Sequence, residues 1–408
     1  MKTACTTDPQ VEKQVGSCSQ HLKWGSGVIF VLVVCLLGTQ AFLFHKRSVQ
    51  EPFSQSTVDD IDDTLSAPAA DLMTDLSPNT KFTCVYNYLQ NSSEGAYSPN
   101  ILPFPLCHNL VFCCLQPMVL PTQSQVAAIK TLKNLGEQRS LYVVFGGTQD
   151  SDIVLARLLN DAWQQSLFAH YVFDVRRRFA FDGIYLYWAE PEEKHRMHMV
   201  MLADQLRQKL STHLLGLGFM VNGRQEFTGA LDLVGLLRRL GPRRVFIAPP
   251  FYPPMLYSKT EIYHHHRLLS IHSKLANMSG KYSGYLCHGV SIAGVAFALK
   301  TSGQLPVEGE IAKGPGALGT RMGVVSYADI CRLKFDDLST RSFATVGVSG
   351  RTWVTYLDPV QARRFFTYVS VLGRTNCLGF WNPEFDDIAG KCGFSKFPIM
   401  RSTVTNRF

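Results

Sequence analysis

From Lys81 onward the sequence predicts a parallel α/β fold, because two patterns alternate along it. Short apolar runs, each the length of a buried strand, are separated by longer stretches with helical apolar spacing. Eight such runs suit a closed barrel, while the pattern alone leaves an open doubly wound sheet as an alternative. The predicted strands are Phe82–Tyr86, Asn109–Cys114, Ser140–Phe145, Gly183–Trp188, Leu217–Val221, Val245–Ala248, His288–Gly294 and Cys377–Trp381.

Between these strands, Glu193–Leu210 and Phe227–Leu240 have the clearest spacing of amphipathic helices. The apolar residues expected on related faces of the first helix are Met197, Met201, Ala203, Leu206 and Leu210. Its polar start, with His195 and His198, is expected on the helix surface.

The region before the predicted barrel begins with a membrane anchor. Gly25–Phe44 has twenty residues and no charge, enough to span a hydrocarbon core of about 30 Å at ~1.5 Å per residue. A cleaved signal peptide is the alternative. However, the run follows a polar leader, residues 1–24, and ends in His45, Lys46 and Arg47 rather than in a small-residue cleavage site.

Residues 45–80 are predicted to form an acidic, flexible stalk. Ser48–Thr80 contains seven acidic residues and no Lys or Arg, and it is rich in Ser, Thr and Pro. Such a segment cannot bury enough apolar surface to offset its ordering entropy. The remaining residues, 81–408, are expected to form one barrel domain.

Composition and histidine spacing exclude two classes of function. The net charge of +8 is spread along the chain, without a basic block interleaved with aromatics, so nucleic acid is not implied. The histidines His264–His266 and His272 are candidate metal ligands, but three adjacent histidines cannot all face one ion. The sequence also has no C-x-x-C motif. We therefore expect no metal and no cofactor.

The segment Phe181–Pro191 (FDGIYLYWAEP) resembles the signature strand of family-18 glycoside hydrolases, the chitinases, which reads F-D-G-[IL]-D-x-D-W-E-x-P. Asp182 is kept. Tyr185 and Tyr187 stand where the family has aspartates, and Ala189 stands where it has the catalytic glutamate.

Further segments resemble the family in the same order along the chain. The resemblance implies a TIM (β/α)₈ barrel, and residues 298–355 leave room for a shortened α+β insertion. The matching segments are Gly146–Gly147 with Val144 at a serine position, Val245–Pro253 with Tyr252 kept and Pro253 replacing aspartate, Gly289–Phe297 with Ala293 and Val295 replacing tyrosine and arginine, and Trp381–Gly393.

The resemblance implies a barrel that binds glycan without cutting it. Trp381 occupies the floor of the family's central sugar subsite, and Tyr252, Tyr185 and Tyr187 are candidate glycan contacts. Chitin-type glycans containing N-acetylglucosamine are the expected ligands. Asp182 is interpreted as structural. Two alternatives stay open: Trp381 is an ordinary core residue in a closed barrel that binds an extracellular protein, or the chain is a hydrolase with a displaced acid such as Glu190.

The resemblance also implies two disulfides, Cys84–Cys107 and Cys331–Cys392, while a third between Cys287 and Cys377 stays open. Cys113 and Cys114 are expected to be buried thiols. The sequons at Asn91 and Asn277 and the expected disulfides favour an extracellular or lumenal barrel on a single-pass type II membrane protein, with secretion as the alternative. Glu384, Asp386 and Asp387 are expected to cap a helix.

Overall fold

The structure, a computed structural model, covers most of the predicted barrel. Among the helices it describes, none is both long enough and apolar enough to cross a bilayer. The predicted leader, anchor and stalk, and both sequons, lie outside the described residues. Those residues are 81–88, 98–136, 138–188, 193–210, 217–222, 245–248, 286–299, 312–316, 318, 323–341, 343–373, 377–393 and 395–404.

Eight parallel strands close into a barrel in the order β1-β14-β7-β6-β5-β4-β3-β2, where strands are numbered along the chain. Closure occurs between the first and last strands, with Lys81 opposite Cys377 and Val85 opposite Trp381. All eight predicted strands are confirmed, and the doubly wound alternative is wrong. The barrel strands are β1 (Lys81–Asn87), β2 (Asn109–Leu115), β3 (Ser140–Gly146), β4 (Gly183–Tyr187), β5 (Leu217–Asn222), β6 (Val245–Ala248), β7 (Leu286–Ser291) and β14 (Cys377–Trp381).

The described helices lie between these strands and after the last one. The first begins at a capping box, in which Thr122 accepts from the Gln125 backbone N–H while the Gln125 side chain accepts from the Thr122 N–H. The helices are α1 (Gln123–Leu135), α2 (Gln149–Leu159), α3 (Ala162–Phe179), α4 (Arg196–Leu210), α5 (Tyr327–Ile330), α6 (Pro359–Gly373) and α7 (Pro398–Val404).

Helix α4 confirms the predicted helix but corrects its buried face. Met197 and Met201 are exposed, at 65% and 45% of their surface. The buried stripe passes through Met199, Ala203 and Leu206, residues three or four apart, and a position two residues away lies on another side of the helix. Phe227–Leu240 lies outside the described residues.

The start of this helical segment gives a second correction. His195, expected on the surface, is buried in the short 3₁₀ turn Glu193–His195 that precedes α4. Its ring lies 5.1 Å from the ring of Trp188.

Between β7 and α6 the chain forms a second, antiparallel sheet, which is the α+β insertion that the resemblance implied. The described strands begin at Gly294, four residues before the predicted start. The sheet has the order β10-β8-β13-β12-β11, and β9 pairs with β8. Its strands are β8 (Gly294–Leu299), β9 (Ala312–Pro315), β10 (Val324–Val325), β11 (Asp337–Arg341), β12 (Ala344–Ser349) and β13 (Thr352–Tyr356).

Three disulfides join separate parts of this fold. Cys84–Cys107 and Cys331–Cys392 are bonded as the resemblance implied. Cys287–Cys377, which the sequence left open, is also bonded, because these residues lie directly opposite each other on β7 and β14.

The expectation of free thiols at Cys113 and Cys114 is wrong, since these adjacent cysteines are bonded to each other. Neighbouring side chains of a regular strand point to opposite faces, so there was no reason to expect these two to pair. The pairing of β2 with β3 shifts register between Phe112 and Leu115, and both cysteines pack in the barrel interior.

Candidate functional site

Side chains of strand β4 point alternately into the barrel and towards the surrounding helices. Tyr185 and Tyr187 pack in the interior cluster, whereas Ile184 and Leu186 pack in the core between strands and helices. This alternation follows from the two-residue period of a strand. Both tyrosines therefore face the barrel interior.

Five aromatic rings, which we call the aromatic plug, contact one another inside the barrel. The Tyr187 ring meets the Trp381 indole edge-on, with centroids 6.5 Å apart and planes at 75°, and Phe246 lies 6.1 Å from the same indole. Tyr185 continues the contacts, 6.0 Å from Phe246 and 5.7 Å from Tyr142. Edge-to-face pairs of this kind stabilise by about 0.5–1.5 kcal/mol beyond area burial.

The plug covers the residue expected to be the floor of the sugar subsite. Trp381 exposes only 2% of its surface, Tyr185 2% and Tyr187 none. Trp381 is thus a packed interior residue in this structure, as the core interpretation expected. A sugar can reach its indole face only after a covering side chain moves.

Two glycines after β3 make room for the Tyr187 ring. Gly146 and Gly147 have φ values of 107° and 82°, a region that favours glycine. A Cβ atom at Gly147 would lie 2.7 Å from the Tyr187 ring and 3.1 Å from the Cys114 sulfur. The Gly147 N–H also donates to the Tyr187 carbonyl oxygen, at 2.9 Å. The missing side chain at Gly147 therefore leaves the space that the Tyr187 ring occupies.

The kept aspartate of the signature strand lies at the other end of the barrel. Asp182 precedes β4, and its Oδ2 accepts from the Leu141 backbone N–H at 2.7 Å, while its own N–H donates to the Leu141 carbonyl oxygen at 2.9 Å. This exchange aligns the starts of β3 and β4. The structural interpretation of Asp182 is confirmed.

Several predicted site residues lie outside the described part of the chain. Ala189, Glu190 and Tyr252 are among them, so the direction of the Glu190 side chain stays a prediction. His264–His266 and His272 also lie there. Within the described ranges, no three His, Cys, Asp or Glu side chains are arranged to hold a metal ion.

The carboxylates that follow β14 are buried and bonded to backbone. Asp386 accepts from the Met400 N–H at 3.0 Å and from the Ile399 N–H at 3.4 Å, which caps the first turn of α7 from a distant part of the chain. Asp387 accepts from the Cys392 N–H at 2.7 Å, beside the Cys331–Cys392 bridge. The capping prediction is confirmed for Asp386.

Burial changes the pKa of Asp386. Loss of hydration raises the pKa of Asp386 to about 7, even though its bonds to backbone N–H groups act in the opposite direction. Burial also raises the pKa of the nearby Tyr327 hydroxyl, and the Asp358 carboxylate adds to that shift. Glu384 is likewise buried, with 1% of its surface exposed.

Sequence reasoning missed two members of the site. Phe246 contacts both Trp381 and Tyr185, and the alternation of β6 was the signal that could have found it. The Cys113–Cys114 bridge had no such signal, because neighbouring side chains of a regular strand point to opposite faces.

A closed parallel barrel, an antiparallel insertion after its seventh strand and an indole at the end of its last strand together define the fold of the chitinase-like family-18 glycoside hydrolases. Comparison with known proteins supports this assignment of the fold. Human Chitinase-3-like protein 2 is 24% identical over 364 residues, covering 79% of this chain and 91% of the relative. No family model matches the sequence.

Solved structures agree with the fold. Human YKL-39, described as a pseudo-chitinase with retained chitooligosaccharide binding, has a TM-score of 0.67 at 18% identity, covering 80% of this chain and 98% of that one. Catalytic domain 2 of the Ostrinia furnacalis Group II chitinase also has a TM-score of 0.67 at 18% identity, with coverage of 80% and 95%.

Proposed function

We propose that this chain is a non-catalytic chitinase-like barrel that binds glycans containing N-acetylglucosamine at the carboxyl-terminal mouth of its strands. One observation carries the absence of catalysis: Tyr185 and Tyr187 fill the barrel interior at positions where the hydrolases have aspartates. The glycan part of the proposal rests on the Trp381 indole at the carboxyl-terminal end of β14, which Tyr187 contacts edge-on.

The lost carboxylates remove the chemistry of hydrolysis. Family-18 hydrolysis is assisted by the substrate's own acetamide, and it needs a carboxylic acid to protonate the leaving oxygen. Ala189 at that position has no proton to donate, and general acid catalysis typically contributes about 10²–10⁴-fold. Tyrosines at 185 and 187 also supply no negative charge to support the cationic transition state.

Glycan binding is supported by the relatives and by the residues that remain. YKL-39 is described as a pseudo-chitinase with retained chitooligosaccharide binding. Here the indole of Trp381 and the rings of Tyr185 and Tyr187 are flat apolar surfaces on which a pyranose ring can stack once they are exposed. All three are buried in this structure, so binding requires a covering side chain to move. Ligand sites in barrels of this type lie at the carboxyl-terminal ends of the strands, where Trp381 and Tyr187 are found.

A second candidate function is a closed barrel that acts through its outer surface on an extracellular protein. The burial of Trp381, with 2% of its surface exposed, favours this candidate. The two functions differ in one physical respect: glycan binding requires Tyr187 to leave the indole, and protein binding does not.

For localisation we propose a single-pass type II membrane protein, anchored by residues 25–44, with the barrel outside the cytosol. The disulfides Cys84–Cys107, Cys287–Cys377 and Cys331–Cys392 support an oxidising compartment. A secreted form is the alternative, and both place the barrel where extracellular glycans occur.

Calorimetric titration of the full chain with N-acetylchitotetraose tests the glycan proposal. Binding by the wild type that weakens about tenfold in Trp381→Phe is the expected result, which corresponds to ~1.4 kcal/mol. Trp353→Phe is the matched control, because Trp353 is equally buried but packs against Phe297 in the insertion sheet. Equal losses in both variants would contradict the proposal.

Tyr187→Ala separates the two candidate functions. If the wild type binds no tetrasaccharide but Tyr187→Ala does, the ring closes the cleft and the protein-binding candidate stands.

The hydrolase alternative has its own readout, turnover of a fluorogenic chitooligosaccharide that is abolished by Glu190→Gln. We expect no turnover.

A further inference from the structure

Helix α4 exposes two methionine side chains that lie one turn apart. Met197 has 65% of its surface exposed and Met201 has 45%, whereas Met199 between them has 1% exposed and packs in the core. Methionine is among the residues that are most often buried in folded proteins. The two exposed thioether side chains lie outside the core and face solvent.

A histidine shares this face of the helix. His198 follows Met197 directly and precedes Met201 by three residues, and residues three or four apart on a helix have Cβ atoms about 5–6 Å apart. Long side chains on a helix lean towards its amino terminus, so the Met201 thioether lies over the turn that carries Met197 and His198. These three side chains, which we call the Met–His cluster, can therefore meet at one point.

The imidazole of His198 is not committed to another group. His198 is half-buried, and its Nδ1 atom is buried without a hydrogen-bond partner. A buried polar atom without a partner costs free energy. Turning the ring towards the two sulfurs therefore breaks no hydrogen bond at this nitrogen.

The ligand types in the Met–His cluster favour a soft, singly charged metal ion. Thioether sulfur and imidazole nitrogen suit Cu(I), whereas Mg²⁺, Ca²⁺ and Mn²⁺ prefer carboxylate and carbonyl oxygen. The sequence from Met197 to Ala203 contains no carboxylate and no thiol. Lys194 and Arg196 precede the cluster, and their charges repel a divalent cation more strongly than a monovalent one.

We propose that Met197, His198 and Met201 bind Cu(I) through two thioether sulfurs and one imidazole nitrogen. The disulfides support an oxidising compartment, where paired cysteines form disulfides but methionines do not. The expectation of no metal site rested on histidine and cysteine spacing, whereas this site takes two of its ligands from methionine. It therefore differs from the clusters of His, Cys, Asp and Glu that are absent from the described ranges.

Competition between the full chain and bicinchoninate for Cu(I) tests this inference. Ascorbate keeps the copper reduced, and alkylation beforehand removes free thiols as competing ligands. The variant Met197→Leu/Met201→Leu should raise the Cu(I) dissociation constant about tenfold or more, because leucine keeps the volume of methionine but has no donor atom. Met118→Leu is the matched control and should bind like the wild type, since Met118 is also exposed, at 41%, but lies in the connection after β2.

A second measurement locates the ion. Ag(I) is a soft, singly charged stand-in for Cu(I) that is not oxidised in air. In protein with isotopically labelled methionine methyl groups, Ag(I) should shift the NMR signals of Met197 and Met201 and leave that of Met118 in place. His198→Gln should weaken the binding of both ions.

Other outcomes overturn the inference. Unchanged Cu(I) binding in Met197→Leu/Met201→Leu would place the ion elsewhere in the chain. Equal losses in this variant and in Met118→Leu would mean that exposed thioethers bind the ion without a built site. Zn²⁺ bound as tightly as Cu(I) would indicate a histidine site without thioether ligands. Circular dichroism of each variant separates these results from unfolding, and N-acetylchitotetraose titration should be unchanged in the double variant, which separates this test from that of the mouth.

Discussion

Two segments that resemble the same hydrolase family differ in their acidic residues, which are replaced in one segment and kept in the other. In the signature strand, Phe181–Tyr187, the two acidic positions before the catalytic residue have become tyrosines, and both rings pack in the barrel interior. In the connection Trp381–Cys392, Asp386 and Asp387 are kept and buried. The two segments differ in the hydrogen-bond partners that a carboxylate has at each position.

The buried aspartates after β14 accept hydrogen bonds from the backbone of α7 and from Cys392. Replacing either would leave buried N–H groups without an acceptor, a large cost in a low-dielectric interior. The positions in β4 have no comparable structural duty, since in a hydrolase their partners are the substrate and the catalytic acid. Where no catalysis is required, an aromatic residue that fills the space is more stable there than a carboxylate.

The largest expected effect comes from restoring carboxylates to β4. The double variant Tyr185→Asp/Tyr187→Asp should lose about 4 kcal/mol or more of unfolding free energy, because it places two unpaired charges and a cavity inside the aromatic plug. It should also gain no chitooligosaccharide hydrolysis. Chemical denaturation and a fluorogenic assay measure both. Tyr185→Phe/Tyr187→Phe is the shape-matched control, and wild-type stability of the double aspartate variant would contradict this account.

A smaller loss of unfolding free energy is expected from a change in the segment Trp381–Cys392. Asp386→Ala should lower the unfolding free energy by about 2–4 kcal/mol, because buried N–H groups of α7 lose their acceptor. Denaturant titration at pH 6 measures it. Asp329→Ala is the control: this exposed carboxylate pairs with Arg332 at 2.9 Å, and its loss should cost under about 1 kcal/mol. Similar losses in the two variants would remove the distinction between the segments.

The smallest effect is a pH dependence. The pKa of Asp386 rises from 3.8 to about 7 on folding, so between these values the folded chain holds a proton that the unfolded chain does not. Stability should therefore fall as pH rises towards 7, by roughly 1 kcal/mol between pH 6 and 7. Asp386→Asn cannot titrate, and it should flatten that part of the profile. An unchanged slope would assign the dependence to another group.

Sequence reasoning was most successful where the pattern is local. Each of the eight barrel strands was predicted, because a buried strand has an apolar run that requires no knowledge of its neighbours. It failed at Met197, which is exposed, and at His195, which is buried, since both depend on which side of the segment the barrel covers. The inward direction of Tyr185 and Tyr187 depends on the same choice, because a period of two places both rings on one face of the strand without saying which face.

By itself the sequence determined the order of strands and helices, the family resemblance and the loss of acidic side chains at 185, 187 and 189, because residue type and local period are written along the chain. Only the tertiary structure decided that Phe246 and Tyr187 cover Trp381, that Cys113 bonds to Cys114, and that Asp386 caps the helix that begins at Pro398. Apart from the bond between the adjacent cysteines, these contacts depend on barrel closure and on the path of the chain after β14, which bring together side chains whose spacing in the sequence carries no sign of their meeting.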